Sequence, residues 1–377
     1  MRTDGWAEDG FGKVADAFAG VLAGQGDGGA AVAVFLGGRP VVDLWGGVAD
    51  VTTGRAWERE TATVVWSCAK GLVSLLVHRL AQEGRIDLDA PVAAYWPEFA
   101  QGGKETVTVR TVLAHRAGLP LVDAGLSFED VLAWEPVVTA LAAQEPLWEP
   151  GREYAYHGQT FGWLAGELIR RVTGLTPGGY FRELLGDPLG LETWIGLPPG
   201  ETGRLARLIG PAEPSRLPEL FSRMLTVDGA IDFPGIDSPR GYNSPALLAA
   251  ELPGSNAVST ARGLAGAYAA AATGLDGGPR LLDEATVTDA LRLRSSGPMW
   301  PDGLDMGAGW GTGFTTSAAT AWSTLGPRTF GHDGAGGNSA YGDDEYGIGF
   351  ALVTNRMVGP GDDRAQRLSG ALRDCLG

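Results

Sequence analysis

Ser67-Cys68-Ala69-Lys70 heads a long apolar segment, and Lys70 is one of only three lysines among 29 basic residues. Arginine cannot release its proton at ordinary pH, whereas a lysine in a dry pocket can, so a lysine beside a hydroxyl points to a titrating amine. Positions i and i+3 of a helix share a face, which brings the Ser67 hydroxyl to the Lys70 amine. The spacing suggests an activated serine. With fifteen serines in 377 residues, a chance S-x-x-K arises about one time in ten, and an N-cap serine followed by a solvated lysine is a common helix start. Against that, Leu72, Val73, Leu75, Leu76, Val77 and Leu80 make the next turns apolar on most sides, as in a helix buried within a domain. A lysine at the head of a buried helix needs a reason.

Two further segments carry suitable residue types. Glu149-Pro150-Gly151-Arg152-Glu153-Tyr154-Ala155-Tyr156-His157-Gly158 is turn-rich and feeds a helix, so it places a phenol at a helix entrance, where it can relay a proton. Gly331-His332-Asp333-Gly334-Ala335-Gly336-Gly337 ends a strand-like run with glycines that let a substrate approach the backbone and its N–H donors. Other patterns fail. Gly24-Gln25-Gly26-Asp27-Gly28-Gly29 fits a dinucleotide-loop string but precedes a strand, so it reads as a turn. G-x-S-x-G, Walker A and H-E-x-x-H strings are absent. The four histidines, at 78, 115, 157 and 332, lack metal-ligand spacing, so no metal or other cofactor is expected. His78 reads as a core residue and His115 as one that orders the loop before Gly118. Cys68 and Cys375 make no disulfide framework, and Cys68 reads as packing.

The elements that must position these groups follow from periodicity. A helix is expected over 11–23, then β-type runs at 30–36 and 40–46 joined by Gly37-Gly38 as a hairpin. Helical patterns follow at 67–83, 106–114, 128–143, 160–173 and 178–186, and again at 281–293. Strand-like runs return at 307–316, 328–332 and 346–354, with a closing helix over 362–375. The expectation is an α+β architecture: residues 1–66 and 255–377 build an antiparallel sheet flanked by terminal helices, and 67–254 form a mainly helical subdomain. Ser67 then lies at the seam, where a cleft is expected.

Composition bounds the class to a globular protein. The chain is 44% hydrophobic and 20% charged, enough for a large core. A net charge of −16 without a basic cluster argues against nucleic acid. The amino terminus lacks an apolar signal region and no run approaches a bilayer span, so a cytoplasmic protein without a membrane partner is expected.

Taken together, these segments resemble the serine β-lactamase and penicillin-binding-protein superfamily, and within it the family VIII carboxylesterases related to class C β-lactamases. The resemblance runs through Val41-Val42-Asp43-Leu44-Trp45-Gly46-Gly47, Ser67 to Leu72, Leu88-Asp89-Ala90-Pro91-Val92 with Tyr95-Trp96-Pro97, His115 to Pro120, the tyrosine loop, Pro188-Leu189-Gly190-Leu191, and His332-Asp333-Gly334 through Asn355-Arg356-Met357, in the family's order. It implies a β-lactamase/transpeptidase-like fold, with Ser67 as nucleophile, Lys70 as proton acceptor and Tyr156 in place of the Y-x-N tyrosine. Tyr154 competes for that role, but Tyr156 is preferred because His-Gly and Thr160-Phe161-Gly162-Trp163 follow it. His332-Asp333-Gly334 stands where the family has K-T-G, and the N–H groups of Ser67 and Ala335 would form the oxyanion hole. Two departures disfavour antibiotics: Gly158 replaces the Y-x-N asparagine and His332 the K-T-G lysine. The expected activity is hydrolysis of small, short-acyl esters through a Ser67 acyl-enzyme. Alternatives are an acyltransferase of the same fold, a weak β-lactamase or D-amino-acid amidase, or a silent binding module. Loops 205–245 and 295–305 are candidates to line an acyl pocket.

Overall fold

The computed structural model describes residues 2–212, 217–233, 235–319, 323–359 and 361–377. Residues 213–216 and 234 of the expected pocket segment lie outside them. The main sheet contains β1 (Thr3–Ala7), β2 (Gly29–Leu36), β3 (Arg39–Asp50), β4 (Thr329–Gly334), β5 (Asn338–Asp343) and β6 (Ile348–Thr354). They lie in the order β1-β3-β2-β6-β5-β4, every pair antiparallel, and Arg55–Ala56 adds a short seventh strand on β3. The first and last thirds of the chain therefore meet at the β2–β6 pairing, Ala33 opposite Ala351.

The β2–β3 hairpin turns on Gly37 and Gly38, whose φ values of 58° and 79° are conformations that β-branched residues resist. Helices α1 (Gly12–Gly24) and α5 (Arg364–Leu376) cover one face, where Phe18, Leu22, Leu368 and Leu372 pack on Val32, Leu44 and Phe350. Beneath the other face runs α4 (Ala261–Ala272), and beyond it α2 (Cys68–Gln82) and α3 (Thr160–Thr173) lead into the helical part. Alanine and glycine make up most of the α4 sequence, so its periodicity is faint and no helix was expected there. Small residues let it lie against the sheet: a Cβ on Gly349 would come within 2.7 Å of Ala269 Cβ.

The expected 128–143 helix is two helices, Phe128–Leu132 and Glu135–Ala143. Pro136 cannot continue a helix from its N-terminal side, and Trp134 breaks it with φ 67°. Of the expected 307–316 strand only Gly309–Trp310 forms a strand, with Ser295–Ser296; Gly313 turns away at φ 85°, and Thr315 makes isolated bridges to Trp310 and Gly331. The helix read at 281–293 shortens to Glu284–Ala290, capped by Asp283, which accepts from Thr286 N–H. A small sheet of Thr63–Val64, Ala257–Ser259 and Thr193–Ile195 joins the segment before Ser67 to that after Gly254. Among the described residues no helix is long and apolar enough to cross a membrane.

Candidate active site

Ser67 occupies the N-cap of α2, immediately after Trp66, a buried residue in the left-handed region at φ 52°. Such a conformation in a tryptophan costs roughly 1–3 kcal/mol. Trp66 is clamped between the rings of Tyr242 (centroids 4.3 Å apart) and Phe233 (5.4 Å), which holds the turn and presents Ser67 to the cleft. One helical turn on, Lys70 is fully buried. Its Nζ lies 3.1 Å from Ser67 Oγ and donates to the Gly254 carbonyl at 2.6 Å. Burial pushes the ammonium well below the ordinary lysine range, which favours the neutral amine with its lone pair.

Tyr156 donates its hydroxyl to Ser67 Oγ at 2.8 Å. Its ring stacks on Trp310 at 5.3 Å and 18°, and Lys70 Nζ stands 4.8 Å from its centroid. Burial pushes this phenol above the ordinary tyrosine range, so it stays protonated. Tyr154 points elsewhere, donating to the Gly297 carbonyl. The tyrosine loop is pinned by two histidines: His157 N–H donates to His115 Nδ1 (3.1 Å), and His157 Nε2 accepts from Leu119 N–H (3.3 Å). His115 thus orders the tyrosine loop as well as its own turn, a role that becomes visible only when the segments meet in space. His78 is buried and bonds Thr312 O through Nε2 at 2.7 Å.

Strand β4 brings the glycine segment to the same place. Gly331 O accepts from Thr315 N–H at 3.0 Å, so this residue turns its backbone groups away from β5, and alternation gives Asp333 the same open side, with Ala335 following in a 3-10 turn over Ala335–Gly337. Gly334 approaches the head of α2 closely: a Cβ there would meet Cys68 Sγ at 3.3 Å and clash with the Val65 carbonyl. His332 is buried and bonded through Nδ1 to its neighbour's carbonyl, Asp333 O, at 2.6 Å. Burial holds it well below the usual histidine range, which disfavours a cation where K-T-G would put one. Gly158 leaves room for Leu225, whose Cδ2 would be 2.9 Å from a Cβ at 158.

Ser67, Tyr156, Gly158, Asp333, Gly334 and Ala335 border a cleft of about 460 Å³. Trp66, Leu217, Phe221, Leu225, Phe233 and Met306 give it an apolar wall, so the 205–245 segment contributes as expected. The 295–305 segment lies behind that wall, where Met299 and Trp300 pack around the tyrosine loop. Sequence reasoning missed the Gly254 carbonyl on Lys70, the polar ring of Gln159, Tyr242 and Ser255, and Arg364, which donates to Gly336 O at 2.6 Å. None has a motif, because each acts through a contact between segments distant in sequence. Among the described residues no group of three or more His, Cys, Asp or Glu could hold a metal ion.

Sheet, helices and the Ser-Lys-Tyr cluster together define a β-lactamase-type serine hydrolase. A β-lactamase family domain matches residues 14–373, and the chain belongs to that family. It is 38% identical over 373 residues to the esterase/beta-lactamase LipL of Mycobacterium tuberculosis, a match spanning 95% of this chain and 84% of that protein. Among solved structures, a penicillin-binding protein homolog from Caulobacter crescentus matches with a TM-score of 0.89 at 35% identity, and a family VIII carboxylesterase with 0.89 at 33%, each covering 100% of both chains.

Proposed function

We propose that the protein is a serine carboxylesterase acting on small, uncharged esters with short acyl chains. The observation that carries this reading is Ser67 Oγ held between the buried Lys70 Nζ at 3.1 Å and the buried Tyr156 hydroxyl at 2.8 Å. Protonation decides the roles. Ser67 accepts from the Tyr156 hydroxyl and gives its own proton to the Lys70 lone pair as Oγ attacks the ester carbonyl carbon. The carbonyl oxygen becomes an oxyanion facing the N–H groups of Ser67 and Ala335, each such donor being worth about 3 kcal/mol in the transition state. When the tetrahedral centre collapses, the bond to the alcohol oxygen breaks, Tyr156 gives that oxygen its proton, and the Lys70 ammonium restores the phenol. Water then adds to the acyl carbonyl with its proton passing to Lys70, the acyl–Oγ bond breaks, and Oγ regains a proton. The net change is ester plus water to acid plus alcohol.

The cleft favours esters over lactams. Its lining includes the carboxylates Asp333 and Asp362 and no arginine or lysine among the described residues, so a lactam carboxylate meets no counter-charge. Leu225 fills the space that an asparagine at Gly158 would use on a lactam amide. The test is p-nitrophenyl ester hydrolysis over acyl lengths from acetate to decanoate, with Ser67→Ala measured beside the wild type. Turnover concentrated at short acyl chains and lost in Ser67→Ala is the expected result, and equal rates in the two proteins would remove the reading.

A further inference from the structure

The wall of the cleft nearest Lys70 carries a closed ring of three side chains from three segments. Gln159 Nε2 donates to the Leu225 carbonyl at 3.1 Å and to Tyr242 Oη at 3.0 Å. Tyr242 donates its hydroxyl to Ser255 Oγ at 2.7 Å, and Ser255 donates its own to Gln159 Oε1 at 2.7 Å. All three residues are buried, and Gln159 and Ser255 border the cleft with Ser67. Their place beside the reacting atoms is fixed by the chain. Ser255 follows Gly254, whose carbonyl holds Lys70, and Gln159 lies three residues after Tyr156.

The direction of the ring is forced. The Leu225 carbonyl can only accept, so the amide nitrogen of Gln159 must face it, which settles the orientation of the amide. The second N–H then goes to Tyr242 Oη, leaving the phenol to donate to Ser255 and Ser255 to donate to Gln159. Burial pushes the Tyr242 phenol up to about 12, so it keeps its proton. Every donor in the ring is consumed. What remains unused on these two cleft-lining residues is one lone pair on Gln159 Oε1 and one on Ser255 Oγ. An otherwise apolar wall thus ends, next to the nucleophile, in a patch that can accept hydrogen bonds and cannot give one.

We propose that Gln159 and Ser255 form an acceptor-only subsite, locked by Tyr242 and the Leu225 carbonyl, that selects esters carrying a hydroxyl or N–H group a few atoms from the scissile carbonyl. The inference rests on the esterase reading and adds the substrate class to it. A substrate donor satisfies the spare lone pairs, an apolar group forgoes that bond, and a carboxylate or other acceptor is repelled.

The test compares p-nitrophenyl 3-hydroxybutyrate with p-nitrophenyl 3-methylbutyrate, which exchange a hydroxyl for a methyl at nearly constant shape. Each kcat/KM is normalised to the ester's rate with hydroxide. The hydroxy ester should be favoured roughly three- to tenfold, the effect of one neutral hydrogen bond. Tyr242→Phe frees the Gln159 N–H as a donor and Ser255→Ala frees the Tyr242 O–H as one, so in both the patch is no longer acceptor-only and the ratio should fall close to one. Because the ratio is taken within one preparation, a partly folded variant does not alter it. A wild-type ratio of one or below, or a ratio unchanged in both variants, overturns the subsite while p-nitrophenyl butyrate turnover leaves the esterase standing. Absence of butyrate turnover as well, with Ser67→Ala indistinguishable from wild type, overturns both.

Discussion

The carbonyl of Gly254 accepts from Lys70 Nζ at 2.6 Å across 184 residues of sequence. This contact aims the amine, because a neutral lysine on a flexible stem needs an acceptor to turn its lone pair toward Ser67. The approach depends on absent side chains. A Cβ on Gly162 in α3 would lie 2.7 Å from Pro253 C and 2.9 Å from Gly254 Cα, and one on Gly254 would lie 2.8 Å from the Gln159 carbonyl.

Gly162→Ala should therefore push the 253–254 backbone away from α3 and misplace Lys70. Displacing a catalytic group by about 1 Å can cost on the order of a hundredfold, so kcat should fall tenfold or more with KM changed less. Steady-state kinetics on p-nitrophenyl butyrate checks it, and an unchanged kcat would mean that the Gly254 contact does not position the amine.

The neutral state of Lys70 makes two separable demands. Lys70→Arg puts there a cation that cannot accept a proton, so it should be as inactive as Lys70→Ala at every pH where the protein is folded. Stability supplies the second. The folded value lies below the unfolded 10.5, so between the two the unfolded chain binds the extra proton. Wild-type stability then rises with pH by at most about 1.4 kcal/mol per unit. Lys70→Met lacks this slope, and its stability relative to wild type should decline from pH 7 to 9 in urea unfolding. Parallel curves would place the charged ammonium in the folded state.

How far the sequence carried the reading depended on how local each signal was. Ser67 and Lys70 lie one helical turn apart, and burial of α2 follows from its own apolar residues. The terminal helices and the Gly37-Gly38 hairpin are local too. Strand β5 buries Asn338, Ser339 and Asp343 and has no apolar alternation; Asn338 and Asp343 are satisfied by neighbours, Thr354 N–H donating to Asn338 Oδ1 at 3.0 Å and Thr329 to Asp343 Oδ2 at 2.8 Å. Strand β1 carries Gly5 at φ 100° and is half exposed at the edge. Tyr156 was separable from Tyr154 only by family likeness, since the two differ in where the loop aims them.

The histidines predict acid lability. Burial lowers His157 to about 4 and lowers His78, His115 and His332 as well, from an ordinary 6.5. Below about 6.5 the unfolded chain takes up protons that the folded chain refuses, so stability falls with pH by up to about 1.4 kcal/mol per unit for each group. Asp333, pushed up to about 6 from 3.8, works oppositely between those values, as one group against four. Stability should drop steeply from pH 6.5 to 5. His157→Gln keeps a donor and an acceptor but does not titrate, so it should flatten this drop by about one proton; an identical pH profile would remove His157 from the account.

Arg364 supports the far side of the site. Only 7% exposed on its side chain, it donates to Gly336 O (2.6 Å), Arg356 O (3.0 Å) and Gln25 Oε1 (2.5 Å) and pairs with Asp362 at 2.6 Å. It ties the glycine turn to the terminal helices, one residue from the proposed oxyanion donor Ala335. Arg364→Met leaves buried acceptors unpaired and should cost about 1–3 kcal/mol of stability. If the tie also holds the donor, kcat per active site, counted by the p-nitrophenol burst, should fall about tenfold or more, as for a weakened oxyanion contact. A lowered melting temperature with an unaltered kcat per active site would confine Arg364 to the packing of α5.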